Sequence, residues 1–253
     1  MTSPILVTGG TGTLGSHVVP LLREAGRDVR ILSRHPKESS PGIEHVSVDL
    51  LKGEGIEPAL KDVEILLHLA GGPKGDDKAT AHLMAAAKNS GVKHVVYISV
   101  IGADRVPVAW LKQQHGAEQA IIDSGLPWTI LRAAQFNDLI LTVVEKMTKM
   151  PVVPCPGGLR FQPVDSREVA ARLADLTLGT PQGMVRALAG PKVYGMRELA
   201  TSYLQARGKK RPMMGMRMPG KAGKAYRAGE NLALEGNDVG KRTWEEFLAE
   251  RVS

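Results

Sequence analysis

Short runs rich in Val, Ile and Leu recur along the first half of the chain: PILVTG (4–9), DVRILSR (28–34), IEHVSV (43–48), DVEILLHLAG (62–71), HVVYIS (94–99) and LPWTILR (126–132). They are apolar almost throughout rather than at every second position, the pattern of strands covered on both faces. Between them the apolar positions fall at helical spacing in TLGSHVVPLLREAG (13–26), KATAHLMAAAKNSG (78–91) and a segment from about Ala109 to Ser124. Gly91 and Gly125 stop the last two of these. Strands that alternate with helices, joined by right-handed crossovers, predict an α/β fold of Rossmann type: a doubly wound parallel sheet.

After residue 135 the rhythm changes. FNDLILTVVEKMTKM (136–150) predicts a helix, PVVPCPGG (151–158) an irregular segment because of its prolines, and DSREVAARLADLTLG (165–179) a helix with an Asp cap. GMVRALAG (183–190) predicts one more strand and GMRELATSYLQARG (195–208) another helix. RPMMGMRMPG, a basic helix and TWEEFLAE follow. The expected organisation is a nucleotide-binding domain over 1–134 and 164–190, with a small substrate cap over 135–163 and 191–253.

VTGGTGTLGSHVV (7–19) lies where the first strand becomes the first helix. Gly9, Gly12 and Gly15 are spaced by three, and Gly10, Gly12 and Gly15 also satisfy G-x-G-x-x-G. Such a turn lets the backbone approach a pyrophosphate whose charge then sits on the helix N-terminus. The strand before it and the helix after it turn a weak glycine pattern into a strong one, with Thr11 inside the turn. Roughly 20 residues further on, an acid would hold the ribose 2′-hydroxyl of NAD. Here the second strand ends in Ser33 and Arg34 with no acid, and a guanidinium suits a 2′-phosphate, so NADPH is expected to be preferred over NADH. Asp49, ending the third strand, has two readings: a loop cap or a group facing the adenine.

Composition adds limits. The chain has 253 residues with 43% hydrophobic and 23% charged, enough for a sizeable core. No apolar run approaches a membrane span, and nothing in MTSPILVTGG resembles a secretory leader, so a cytoplasmic protein with no membrane partner is expected. The single cysteine, Cys155, rules out a disulfide within the chain and has no Cys or His neighbour at metal-ligand spacing. No metal is expected. The net charge is +7, but its basic residues read as spread along the chain and interleaved with acids, with only RGKKR (207–211) dense. No nucleic-acid partner is expected.

VTGGTGTLG, Asp49, LLHLAGG (66–72), VVYISVIGAD (95–104), SGLPWTILRAAQF (124–136) and FQPVDSREVA (161–170) together resemble an atypical short-chain dehydrogenase/reductase of the NmrA-like NAD(P)H-binding branch. The resemblance covers nearly the whole chain. It implies that Thr13 and Leu14 meet the pyrophosphate and that Asp49 and Leu50 border the adenine. It implies also that Ala70, Gly71 and Gly72 line the cofactor, while Ala133 to Phe136 face the nicotinamide.

Active members of the wider family use a Ser followed by Tyr-x-x-x-Lys on the next helix. Ser99 matches the Ser. Anchored on AEQAIIDSGLP, the Tyr and Lys positions fall at Trp110 and Gln114, and no tyrosine occurs from 98 to 193. An indole N–H donates a hydrogen bond but is no general acid, and Gln114 can reach ribose hydroxyls without supplying charge. Lys112 points the wrong way, about 200° around the helix from Trp110. His115 lies nearer the Gln114 face with a suitable intrinsic pKa, against its commoner role as a surface residue. Tyr97 reads as core and His17 as helix surface. The Met-rich 213–218 segment reads equally as pocket lining or packed strand.

Three function classes follow. The first is an NADPH-dependent reductase of a small carbonyl, quinone, alkene or imine that works without the Tyr/Lys pair. The second is a non-catalytic NADP(H) sensor in the NmrA manner, acting on a protein partner. The third is a nucleotide-sugar epimerase, disfavoured by the missing pair. A small-molecule substrate is expected, and a homodimer is left open.

Overall fold

The computed structural model describes residues 3–72, 74–233 and 235–252. The chain divides into two compact units. The first runs to Ser99 and adds Lys112–Leu131 and Val169–Val185. The second takes Val100–Leu111, Arg132–Glu168 and the chain from Arg186.

The strands of the first unit are β1 (Ile5–Thr8), β2 (Val29–Ser33), β3 (Ile43–Ser47), β4 (Ile65–His68), β5 (His94–Val100) and β6 (Trp128–Ala133), of which only the ends, Val100 and Arg132–Ala133, count with the second unit. Their order is β3-β2-β1-β4-β5-β6. β1 pairs in parallel with β2 and β4, β2 with β3, and β4 with β5. This is the strand order of the doubly wound dinucleotide fold, with its topological switch beside β1. Helices α1 (Gly15–Glu24), α2 (Ile56–Ala59), α3 (Asp76–Ala87) and α4 (Ala109–Ile122) connect the strands. The continuous apolar runs are explained by burial: Ile5, Leu6 and Val7 on β1 and Leu66 and Leu67 on β4 have no exposed surface.

The second unit holds α5 (Asn137–Thr148), β7 (Val153–Pro156), β8 (Arg160–Phe161) and the start of α6 (Ser166–Leu178). Beyond β9 (Gly183–Met184) of the first unit it continues with β10 (Leu188–Ala189), β11 (Tyr194–Gly195), α7 (Met196–Ala206), β12 (Met213–Met216), α8 (Gly220–Ala228), β13 (Asp238–Val239) and α9 (Trp244–Arg251). Its core joins Ile140 and Val144 of α5 to Leu199 and Leu204 of α7 and to Trp244 and Phe247 of α9.

Two expectations from the sequence are corrected. PVVPCPGG is not irregular: its middle is β7, in parallel register with β12. Val153 and Gly157 donate their amides to Pro212 and Met216. The prolines occupy 154 and 156, the alternate positions whose amides a two-stranded pair does not use. The strand expected over 183–190 is two strands. Met184 pairs with Ile130 and Leu188 with Ala133, so four steps on one strand meet three on β6. The extra residue breaks the ladder in the manner of a bulge.

One buried polar group pins the first unit. His68, 1% exposed at the end of β4, stacks on Tyr97 of β5 with ring centres 5.2 Å apart. Its Nδ1 lies 2.6 Å from the Thr8 hydroxyl of β1 and its Nε2 2.9 Å from the Thr80 hydroxyl of α3. Thr80 donates its own hydrogen to the Asp76 carbonyl, so it accepts from His68 Nε2–H, and Nδ1 accepts from Thr8. The ring is therefore held neutral. Burial pushes its pKa down to about 4 from 6.5. The unfolded chain takes up this proton below about pH 6.5 and the folded chain only near 4, so stability falls as pH drops through that window. We predict a loss of about 2 kcal/mol from this group between pH 7 and pH 5. Urea unfolding at both pH values should show it in the unmutated protein, and His68→Gln should remove that share of the pH dependence. Equal pH dependence in the two proteins would refute the assignment.

Candidate functional site

The turn after β1 shows which glycines the fold requires. Gly9 has φ +69°, and a Cβ there would fall 2.7 Å from the Ala70 amide nitrogen. A Cβ on Gly15 would fall 2.4 Å from the Gly9 carbonyl oxygen. Both positions are closed by backbone. Gly12 differs: a Cβ there meets only the Gly9 oxygen, at 3.3 Å, and otherwise points into open space. The helix that follows, α1, starts at Leu14 as N-cap with no side-chain cap and no acid in its first turn. The Ser16 and His17 amides already bond to the Gly12 and Leu14 carbonyls, so what the helix offers a ligand here is the positive end of its dipole beside the turn.

This turn forms one wall of a cleft of about 370 Å³ in the first unit. Ten expected cofactor residues line it: Gly9, Thr11, Gly12, Ser33, Arg34, Asp49, Leu50, Ala70, Gly71 and Gly72. Arg34 is exposed, and among the described residues it has no carboxylate partner. Asp49 Oδ1 accepts from the Leu51 amide at 3.0 Å, as a loop cap does, and the residue also lines the cleft.

The other expected residues lie outside that lining. Thr13, Leu14 and Gly15 continue the turn into α1; Leu14 and Gly15 are buried, and the Thr13 carbonyl accepts from the Ser16 hydroxyl at 2.8 Å. Ser99 is 1% exposed, and its hydroxyl donates to Glu118 Oε1 at 2.5 Å. The other oxygen of Glu118 lies 3.2 Å from His115 Nδ1, so a buried carboxylate joins these two candidates. Trp110 belongs to the second unit and packs beside Val106, Leu111 and Ala225. Ala133 and Phe136 are also in the second unit: Ala133 is buried at the end of β6, and Phe136 is the N-cap residue of α5, bridged to Val164.

Gln114 is built into a network. Its Oε1 accepts from the Tyr97 hydroxyl at 2.6 Å, and its Nε2 donates to Asp76 Oδ2 at 2.5 Å. Asp76 Oδ1 accepts from the Gly72 amide at 2.8 Å, and Gln113 Oε1 accepts from the Gly75 amide at 2.6 Å. The loop after β4 is thus tied to α4 by two neighbouring glutamines. Burial pushes the Asp76 carboxyl above the usual carboxylate range and the Tyr97 phenol far above its ordinary value. Asp76, which lines the cleft, was missed from sequence; its signal was an acid at the first turn of α3, which reads as an ordinary helix start. Tyr97 is core, as its strand suggested, but its hydroxyl fixes Gln114.

The arrangement fits a dinucleotide. The space over Gly12, the uncapped start of α1 and the unpaired Arg34 suit a diphosphate and a further phosphate, and the apolar Leu32, Val48 and Leu50 suit a base. Among the described residues no group of three or more His, Cys, Asp or Glu is placed to hold a metal, and no helix is long and apolar enough to cross a membrane.

Comparison with known proteins agrees. Residues 9–175 match the NAD(P)H-binding family. The (4-alkanoyl-5-oxo-2,5-dihydrofuran-3-yl)methyl phosphate reductase of Streptomyces griseus is 32% identical over 77% of this chain and 70% of its own. The NAD(P)H azoreductase of Xenophilus azovorans is 29% identical over 85% of this chain and 82% of its own. In fold, the chain is similar to the NADPH-dependent quinone oxidoreductase of Escherichia coli complexed with NADPH. The TM-score is 0.81 at 20% identity, over 98% of this chain and 100% of that one. The chain belongs to the NAD(P)H-binding family.

Proposed function

We propose that the protein is an NADPH-dependent reductase of a small acceptor whose reduction needs no general acid from the Tyr/Lys pair: a quinone, an imine or azo bond, or a conjugated alkene. The observation that carries this reading is the cleft itself, with open space over Gly12 and an unpaired guanidinium where an acid would select plain NAD. The similar proteins named above, a furanone phosphate reductase and an azoreductase, support the same class of acceptor.

When bound, the nicotinamide supplies a hydride. The protein's own contribution is placement. Gly12 would admit the diphosphate, the start of α1 would face its charge, Arg34 would pair with a 2′-phosphate, and Asp49 with Leu50 would border the adenine. The loop from Ala70 to Gly72 is held in shape by Asp76. Ser99 gives its hydrogen to Glu118, so neither it nor the indole of Trp110 serves as proton donor. Hydride addition to a quinone or a conjugated alkene leaves a delocalised anion that water can protonate. His115, half exposed and within 3.2 Å of Glu118, is the ionisable candidate of this group to assist. A second reading, an NADP(H) sensor without turnover, draws on the same lack of an acid at Trp110.

Three outcomes test the reading. Arg34→Ala should remove most of the preference for NADPH over NADH, about tenfold or more, because a charge-assisted bidentate contact contributes roughly 1.5–3 kcal/mol. Equal affinity for both cofactors in the unmutated protein, measured by fluorescence titration, would sink the NADPH assignment. Gly12→Val should abolish binding of both cofactors with an unchanged circular dichroism spectrum, since the added side chain occupies ligand space rather than protein space. Retained micromolar binding would show the phosphates lie elsewhere. Against a quinone and azo-dye panel, Trp110→Phe should lower turnover only a few-fold and the pH profile should lack a tyrosine-like ionisation. A loss of roughly 10²–10⁴-fold would make Trp110 part of acid catalysis. Tight NADPH binding with no oxidation by any acceptor would favour the sensor.

A further inference from the structure

The charge of the chain is not spread evenly. Residues 199–229 contain eight Lys or Arg and no Asp or Glu. Without those eight of the 33 basic residues, the remaining 25 face 26 acids, so the whole positive excess resides in this segment. The interleaved pattern expected above holds only for the rest of the chain.

Within the second unit this segment borders a cavity of about 680 Å³, lined by Arg217, Pro219, Gly220, Lys224 and Arg227. Its three charged side chains are all cationic. Arg217 precedes α8, while Lys224 and Arg227 stand three residues apart on it and therefore share a face. Like charges so placed repel, and among the described residues none of the three has a carboxylate partner. Arg227 is held: its Nη1 donates to the Met218 carbonyl at 2.9 Å, and its aliphatic stem lies over Gly158. The hollow is wide open to solvent, so a ligand would be held there chiefly by charge.

We propose that this cavity is an anion-binding site that takes the phosphate or diphosphate group of a small molecule. Three cations without counter-charge suit a ligand carrying two or more negative charges. A nucleic-acid strand fits less well: the aromatics of the segment are Tyr203, 8% exposed, and Tyr226, half-buried in packing, and neither offers a face for base stacking. The site does not depend on the reductase reading.

Calorimetric titration with inorganic pyrophosphate at low ionic strength tests it. The unmutated protein should bind, and Arg217→Ala with Lys224→Ala should weaken binding at least tenfold. Both side chains are exposed, so circular dichroism should be unchanged; the single variant Lys224→Gln gives a milder second reading. Lys209→Ala with Lys210→Ala, exposed cations of the same segment outside the cavity, should change affinity less than twofold. Gly12→Val, which closes the cofactor cleft, should keep this binding. Equal losses in the two double variants would mean diffuse surface charge and overturn the proposal. So would loss of binding in Gly12→Val, or vesicles of anionic lipid binding where pyrophosphate does not.

Discussion

Everything in the cofactor cleft depends on how closely two backbones approach. The turn after β1 and the loop after β4 run so near each other that a single methyl on Gly9 would strike the Ala70 nitrogen. Only a residue without Cβ, at positive φ, permits that approach. It brings the start of α1 and the Ala70–Gly72 wall to opposite sides of one space. The hydrogen bonds around it then hold the wall in place, with Thr8 accepting from the Leu69 and Ala70 amides, Asp76 from Gly72, and Gln113 from Gly75. The polar interior of the first unit is thus a continuous brace running from β1 through His68 to α3 and α4.

The strands and most helices were legible in the sequence because burial on both faces leaves a largely apolar run, which β1, β4 and β5 show best, while the edge strand β3 has no buried residue. The glycine turn was legible because backbone proximity has few solutions in amino-acid type. Prolines misled at PVVPCPGG, since sequence does not reveal that alternate amides on a two-stranded pair are unused. A one-residue mismatch split the strand over 183–190, and such a bulge has no local signature when its partner strand is distant in sequence. Around the site, Ser99, Gln114 and His115 were recognisable as positions, but their partners were not. Glu118 and Asp76 sit at ordinary helix positions, and only the fold shows that one faces Ser99 and the other Gln114.

Two chemistries are separated along the chain. The cleft of the first unit offers backbone amides and charges of both signs, Arg34 and Lys74 against Asp49 and Asp76, a setting for a ligand recognised by shape and by a few directed bonds. The segment 199–229 of the second unit offers charge. Attraction by charge reaches over a Debye length and weakens with salt, whereas amide contacts act only at touching distance. A ligand of one kind and a ligand of the other should therefore respond very differently to ionic strength.

The pairing of β7 with β12 has a consequence for the behaviour of the protein in bulk. A two-stranded sheet leaves two open edges, and an open edge is a template on which another chain can add a strand. Along β7, Pro154 and Pro156 put rings where outward amides would stand. An incoming strand finds no donors there and meets steric bulk instead. The same residues that hid this strand from a reading of the sequence protect it from aggregation through that edge.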